Sequence, residues 1–252
     1  MPASTRHEAG PSTSRIEAWD GTPGHARALQ AELAEALDPR DGFPATLSLV
    51  AGLAAETTSD GRVRAGAVLL DAASLAVVGR HVASPAPGRT HGQGPLSFRL
   101  VPALLAALSG LPRQPDLVLV EGHGTAHPEG LGVAAHLGVA TGLPAIGVAR
   151  EVLFGSGPRP HETRGAYTAL RDPSRRQIGW LLRSLPGSAP LVVAPAHRVA
   201  LASAADLVMR FTAGDRLPEP LRLARALLAP DGSPTAMAGG PEPNGAGPWR
   251  ES

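Results

Sequence analysis

The stretch "LVLVEGHGTAHP", Leu117–Pro128, decides how the chain is read. Four apolar residues, two of them β-branched, run straight into Glu121, Gly122, His123, Gly124 and then His127. So short an apolar run, closed by glycines, predicts a strand buried on both faces. It opens into a polar corner whose glycines allow conformations and close approaches that a Cβ would forbid. In α/β sheets, ligands sit at the carboxyl ends of the central strands, which is where this corner falls.

Working outward, "EGLGVAAHLGVATGL" (129–143) predicts a helix and "PAIGVA" (144–149) a strand. Strand, helix, strand at this spacing implies a parallel crossover. Upstream, "TLSLVAGLA" (46–54), "RAGAVLLD" (64–71) and "LAVVGRHVA" (75–83) predict three strands with short connections, an antiparallel meander. Helices are predicted over 24–37, within "GPLSFRLVPALLAALSGL" (94–111), over 202–214 and over 219–229. "IGWLLRSL" (178–185) and "PLVVAP" (190–195) predict further strands. The expected fold class is a mixed α/β sheet flanked by helices, three antiparallel strands followed by parallel ones. Its carboxyl ends would gather Ala54–Glu56, Glu121–His127 and Arg150.

Composition narrows the chemistry. The 252 residues suffice for one sizeable domain. A formal net charge of +1 gives no overall polyanion-binding signature. All 23 basic residues are arginine, a bias that fits the GC-rich codons of a high-GC bacterium and excludes a lysine base or Schiff-base amine. With no cysteine, disulfides, thiolate metal sites and cysteine nucleophiles are excluded too. The Pro/Gly-rich segment 230–252 and the polar segment 1–21 predict disordered tails around a domain at 22–229. No signal-peptide pattern and no bilayer-length apolar run is present, so a cytoplasmic protein without membrane contact is expected.

Five blocks carry a resemblance: "GPLSFRL" (94–100), "PDLVLVEGHGTAHPEGLGVAAHLGV" (115–139), "PAIGVAREVLFG" (144–155), "APAHRVALASA" (194–204) and "DRLPEP" (215–220). In order and spacing the chain resembles the endonuclease V family across about residues 24–228. The resemblance implies a ribonuclease H-like fold and cleavage of nucleic acid beside deaminated adenine (inosine), with Mg²⁺ held by carboxylates. Carried over by position, it pairs the family's first-strand carboxylate with Ala54. The glutamate after "LSFR" is paired with Leu100, and the acid after the "GHR" block with Ala202. The aspartate of "DGHG" becomes Glu121, the lysine after "IGVA" becomes Arg150, and the wedge "PYIPG" becomes "THGQG" (90–94).

Mg²⁺ demands oxygen ligands in near-octahedral geometry, and Ala54, Leu100 and Ala202 offer none from their side chains. The expectation is therefore a scaffold without Mg²⁺-dependent nuclease chemistry, a metal-independent pseudonuclease with no cofactor. Glu121, His123 and His127 are the candidate catalytic residues for acid–base chemistry. Arg150, His91, His197 and Arg198 are the candidate anion-binding residues. The expected ligand is a small anionic metabolite in specialised biosynthesis, handled alone or with a partner subunit, with weak or no nucleic-acid binding. Other readings stay open: a non-catalytic binder of nucleic acid or nucleotide, or an active endonuclease V. Equally open is that His123 and His127 bind backbone in the glycine turn, that Arg150 pairs inertly with Glu121, and that Arg198 is structural. The His-x-x-x-His spacing of His123 and His127 is that of a helical zinc pair, but Gly124 and Pro128 speak against a helix there.

Overall fold

The computed structural model describes residues 19–20, 22–85 and 95–229, so His91 and most of both expected tails lie outside it. Helix α1 is Pro23–Glu35, followed by strands β1 (Leu49–Thr57), β2 (Val63–Asp71) and β3 (Val77–Ala83). Helix α2 (Leu96–Ser109), β4 (Leu117–Glu121), α3 (Val133–Thr141) and β5 (Ala145–Ala149) come next. Strands β6 (Tyr167–Arg171), β7 (Gln177–Leu182) and β8 (Leu191–His197) precede helices α4 (Leu201–Arg210) and α5 (Glu219–Ala226).

The strands form one eight-stranded sheet in the order β3-β2-β1-β4-β5-β8-β7-β6. The meander β1–β2–β3 is antiparallel, and β1, β4 and β5 are parallel. The last three strands correct the expected order, because β8, β7 and β6 each pair antiparallel with their neighbours. The short connections β6–β7 and β7–β8 explain the last two pairings: a parallel step needs a crossover of a dozen or more residues, a hairpin does not. Strand β6 has no counterpart in the sequence reading. Its apolar content is thin, and only Leu170 is fully buried.

Alternation along β1 sends Leu49, Ala51 and Leu53 to one face and Val50 and Ala54 to the other. The first face is covered by α1, α2 and α3, the second by α4 and α5. Trp19 packs edge-on against Phe98 at 5.9 Å between ring centroids, so the core reaches into a segment expected to be tail.

Two glycines set how closely α5 lies on the sheet. A Cβ on Gly52 would stand 2.0 Å from the carbonyl oxygen of Pro220, and one on Gly66 would stand 2.7 Å from that of Ala224. Backbone meets backbone at both points, so neither contact can be relieved by a side-chain shift. Gly66 is the cross-strand partner of Ala54, which brings the last turn of α5 over the carboxyl end of β1. We expect Gly52→Ala to lower stability by about 1–3 kcal/mol through overpacking, read as a drop of several degrees in a thermal melt; an unchanged melt would place α5 farther from β1.

His136 sits on α3, fully buried, edge-on to Phe98 at 5.4 Å, and neither ring nitrogen has a hydrogen-bond partner among the described residues. Burial lowers its pKa from 6.5 to about 4. The folded chain therefore keeps this ring neutral where the unfolded chain takes up a proton. Stability should fall as pH drops from 6.5 towards 4, by at most roughly 1.4 kcal/mol per pH unit from this group. Denaturant titrations across that range should show a shallower pH dependence in His136→Leu than in the wild type. Equal pH dependence in the two proteins would remove His136 as the cause.

Candidate functional site

The corner after β4 is built by backbone packed against backbone. Gly122 has φ +144°, a region that side-chain-bearing residues rarely adopt. A Cβ on Gly147 of β5 would stand 2.4 Å from the amide nitrogen of Gly124, and one on Gly132 would stand 2.1 Å from the carbonyl oxygen of His123. The glycine-rich start of 129–143 is thus consumed in the corner, and α3 begins only at Val133.

This packing fixes Glu121 at the end of β4, opposite Val148 of β5, with Arg150 just beyond the end of β5. The register of β1 against β4 ends at Leu53 and Val120, so Ala54 follows beside Glu121. The Glu121 carboxylate lies between two guanidiniums. Arg150 Nε is 3.3 Å from Oε1, and Arg225 Nη1 donates to Oε2 at 3.4 Å. The acid is the sheltered member: its side chain is 16 % exposed against 43 % for Arg150 and 37 % for Arg225. Arg216 anchors the Arg150 backbone, its Nη2 donating to the Arg150 carbonyl at 2.8 Å.

The two histidines of the corner hold backbone. His123 Nε2 lies 3.0 Å from the carbonyl of Glu151, a contact that requires that nitrogen to carry the proton. His127 Nδ1 accepts from the amide of Glu129 at 3.2 Å. Burial lowers the pKa of both below the ordinary histidine value; for His123 the Glu151 hydrogen bond partly opposes it, and for His127 the neighbouring His123 adds to it. Both rings are therefore neutral at pH 7. The partners of Glu121 are arginines, not these histidines, so no acid–base pair forms across the corner.

His197, Arg198 and Ala202 lie elsewhere, which corrects the expectation that they border the corner. His197 pairs with Ala145 at the amino end of β5, whereas Glu121 pairs with Val148 near its carboxyl end, roughly 10 Å away along the strand. The cause is the antiparallel direction of β8. His197 Nδ1 accepts from the Asp38 amide at 3.2 Å. Burial chiefly lowers its pKa, helped by Arg198 and opposed by Asp38. Arg198, at φ +53°, donates to the carbonyls of Gly142 and Gly42 at 3.0 and 3.1 Å, clamping the loop before β1 to the end of α3. Ala202 is exposed in the first turn of α4, where Asp41 accepts from the Ala200 amide and the Ser203 hydroxyl.

The site residue missing from the sequence reading is Arg225. Its signal was weak: Glu219, Arg222 and Arg225 recur at a spacing of three on α5, which reads as a solvated helix face. Only the packing of α5 across Gly52 and Gly66 turns that face towards Glu121.

A divalent metal does not fit this donor set. Ala54 is fully buried among apolar neighbours, and Leu100 lies on the core-facing side of α2. Glu56, two residues beyond Ala54, faces Arg64 across the strand pair at 3.7 Å. Among the described residues no three of His, Cys, Asp or Glu gather as a metal site would require. One carboxylate already between two cations would hold a third cation against repulsion.

Comparison with known proteins identifies the lineage. The sequence profile of the family Endonuclease V matches residues 31–226. Endonuclease V of Xanthomonas axonopodis pv. citri (strain 306) is 46 % identical over 222 residues, covering 88 % of this chain and 93 % of that protein. Endonuclease V of Azotobacter vinelandii is 48 % identical over 215 residues, covering 84 % and 95 %. Among solved structures, the endonuclease V of Streptomyces avermitilis superposes with a TM-score of 0.74 at 37 % identity over 83 % of this chain and 92 % of that one. Human ENDOV gives 0.72 at 31 % identity over 81 % and 95 %. These relatives overturn the expected metal-independent biosynthetic pseudonuclease acting on a small anionic metabolite, and with it the expectation of weak or no nucleic-acid binding: they match across the whole sheet and are named for cutting nucleic acid. The ribonuclease H-like sheet, the ordered sequence blocks and relatives matched over nearly their full length lead to one conclusion, that this chain belongs to the endonuclease V family.

Proposed function

We propose that this chain acts on nucleic acid, as its endonuclease V relatives are named for doing, and that it does so in the cytoplasm. The observation that carries this reading is the 46 % identity to an endonuclease V sustained over 88 % of the chain. The corner at Glu121 supplies the ligand-facing chemistry. Two exposed guanidiniums there match the phosphate oxygens of a strand, since arginine presents planar, paired donors to such groups. The other end of the sheet, at His197 and Arg198, is occupied by loop-anchoring hydrogen bonds. No cleavage step is assigned to a metal, because the donor set does not hold one. Among the described residues no helix is long and apolar enough to cross a membrane.

The reading is tested with fluorescein-labelled single strands, with and without a deaminated adenine, by anisotropy and by denaturing gel in Mg²⁺ or Mn²⁺. Binding that weakens with rising salt is expected. Lack of binding at low salt overturns the reading, and a cut that disappears in Glu121→Gln extends it to catalysis at this corner. Arg198→Ala is the control: loss of its clamp should lower stability by about 1–2 kcal/mol while leaving affinity at the wild-type value.

A further inference from the structure

We propose that Arg225, Glu121 and Arg150 together form a phosphate site in which two guanidiniums take one backbone phosphate of a bound strand without a bridging divalent cation. The inference rests on the nucleic-acid reading above and specifies where the strand is gripped.

Each guanidinium carries five N–H donors. In this structure Arg225 donates once, from Nη1 to Glu121. Arg150 makes one ion contact, from Nε. Among the described residues the guanidinium of neither has another partner, so most of their donors are free. The exposures order the three groups in depth, with the carboxylate beneath and the guanidiniums outside it. A shared carboxylate lowers the repulsion between the two cations and holds them on a common anchor. It neutralises only one of them, so the three-residue cluster itself keeps one positive charge. That combination, two forked donors with free N–H groups above a sheltered acid, suits a phosphate that bridges them.

The surroundings keep the pair in place. Arg225 is carried on α5, whose approach to the sheet is set by Gly52 and Gly66. The Arg150 backbone is held by Arg216. Neighbouring His123 is neutral and spends its ring proton on the Glu151 carbonyl, so it adds no competing charge. A metal-bridged phosphate would need further carboxylates around the ion, whereas here Glu121 is already paired with two arginines. Glu121 acts as the positioning residue, and the arginines make the contact.

The test uses the full chain and a fluorescein-labelled single-stranded oligonucleotide, with anisotropy measured over a salt series in EDTA and again in Mg²⁺. Wild-type affinity should be at least as high in EDTA as in Mg²⁺, because the divalent ion only competes for the phosphates. Arg225→Ala and Arg150→Ala should each weaken binding by about tenfold, the scale of one charge-assisted contact. Each should also flatten the salt dependence by roughly 0.7 in the log–log slope, as expected when one phosphate contact to a single strand is lost. Glu121→Gln, which keeps the shape but removes the charge that holds both guanidiniums, should weaken binding and flatten the salt slope; unchanged or tighter binding would overturn Glu121 as their positioning residue. Thermal melts check folding, and Arg225→Gln, which keeps the alkyl stem and a polar head without charge, replaces the alanine variant if that one is unstable. Arginine variants with wild-type affinity and slope overturn the site while leaving the nucleic-acid reading intact. Binding that requires Mg²⁺ overturns it as well. A wild type that binds no strand at low salt brings down both the site and the reading beneath it.

Discussion

The arrangement depends on backbone lying directly against backbone where glycine removes the Cβ. Gly52 and Gly66 admit α5 to within contact of β1 and β2, and Gly147 admits the corner after β4. Without the first approach, Arg225 would ride on a helix too distant to reach Glu121. Without the second, Glu121 and Arg150 would not be fixed at neighbouring strand ends. The charge constellation is thus a consequence of glycine placement in the sheet, and the hydrophobic faces on either side make it rigid. The geometry of the site is specified by residues that never touch a ligand.

Much of this was legible in the sequence, and the exceptions have physical causes. The run "LVLVEGHG" announces a buried strand and a glycine corner because both signals are local. The meander is readable for the same reason. The direction of β8 is a tertiary property, and pairing by position with the family blocks could not show that it sets His197 and Arg198 at the amino end of β5. Strand β6 escaped because its pairing with β7, not its own apolar content, makes it a strand. Arg225 escaped because nothing on a helix surface reveals which strand end it will face. Pairing by position carried the last family acid to Ala202, whereas in the folded chain Arg225 is the group that stands against Glu121.

The broad identity to endonuclease V and the charge arrangement of the corner draw on different energies. The fold rests on apolar burial along β1, β4 and β5 and on glycine contacts, none of which requires a carboxylate at Ala54 or Leu100. Clustered acids are a cost to a folded chain in the absence of a metal, since each repels the others at short range. Alanine at position 54 and leucine at position 100 add apolar contact and no such repulsion. Arginine set against Glu121 adds attraction. The fold therefore does not dictate the charges at this corner. The charges dictate the ligand atom that the corner meets first: a corner lined by acids faces a cation, whereas Arg150 and Arg225 beside Glu121 face phosphate oxygens.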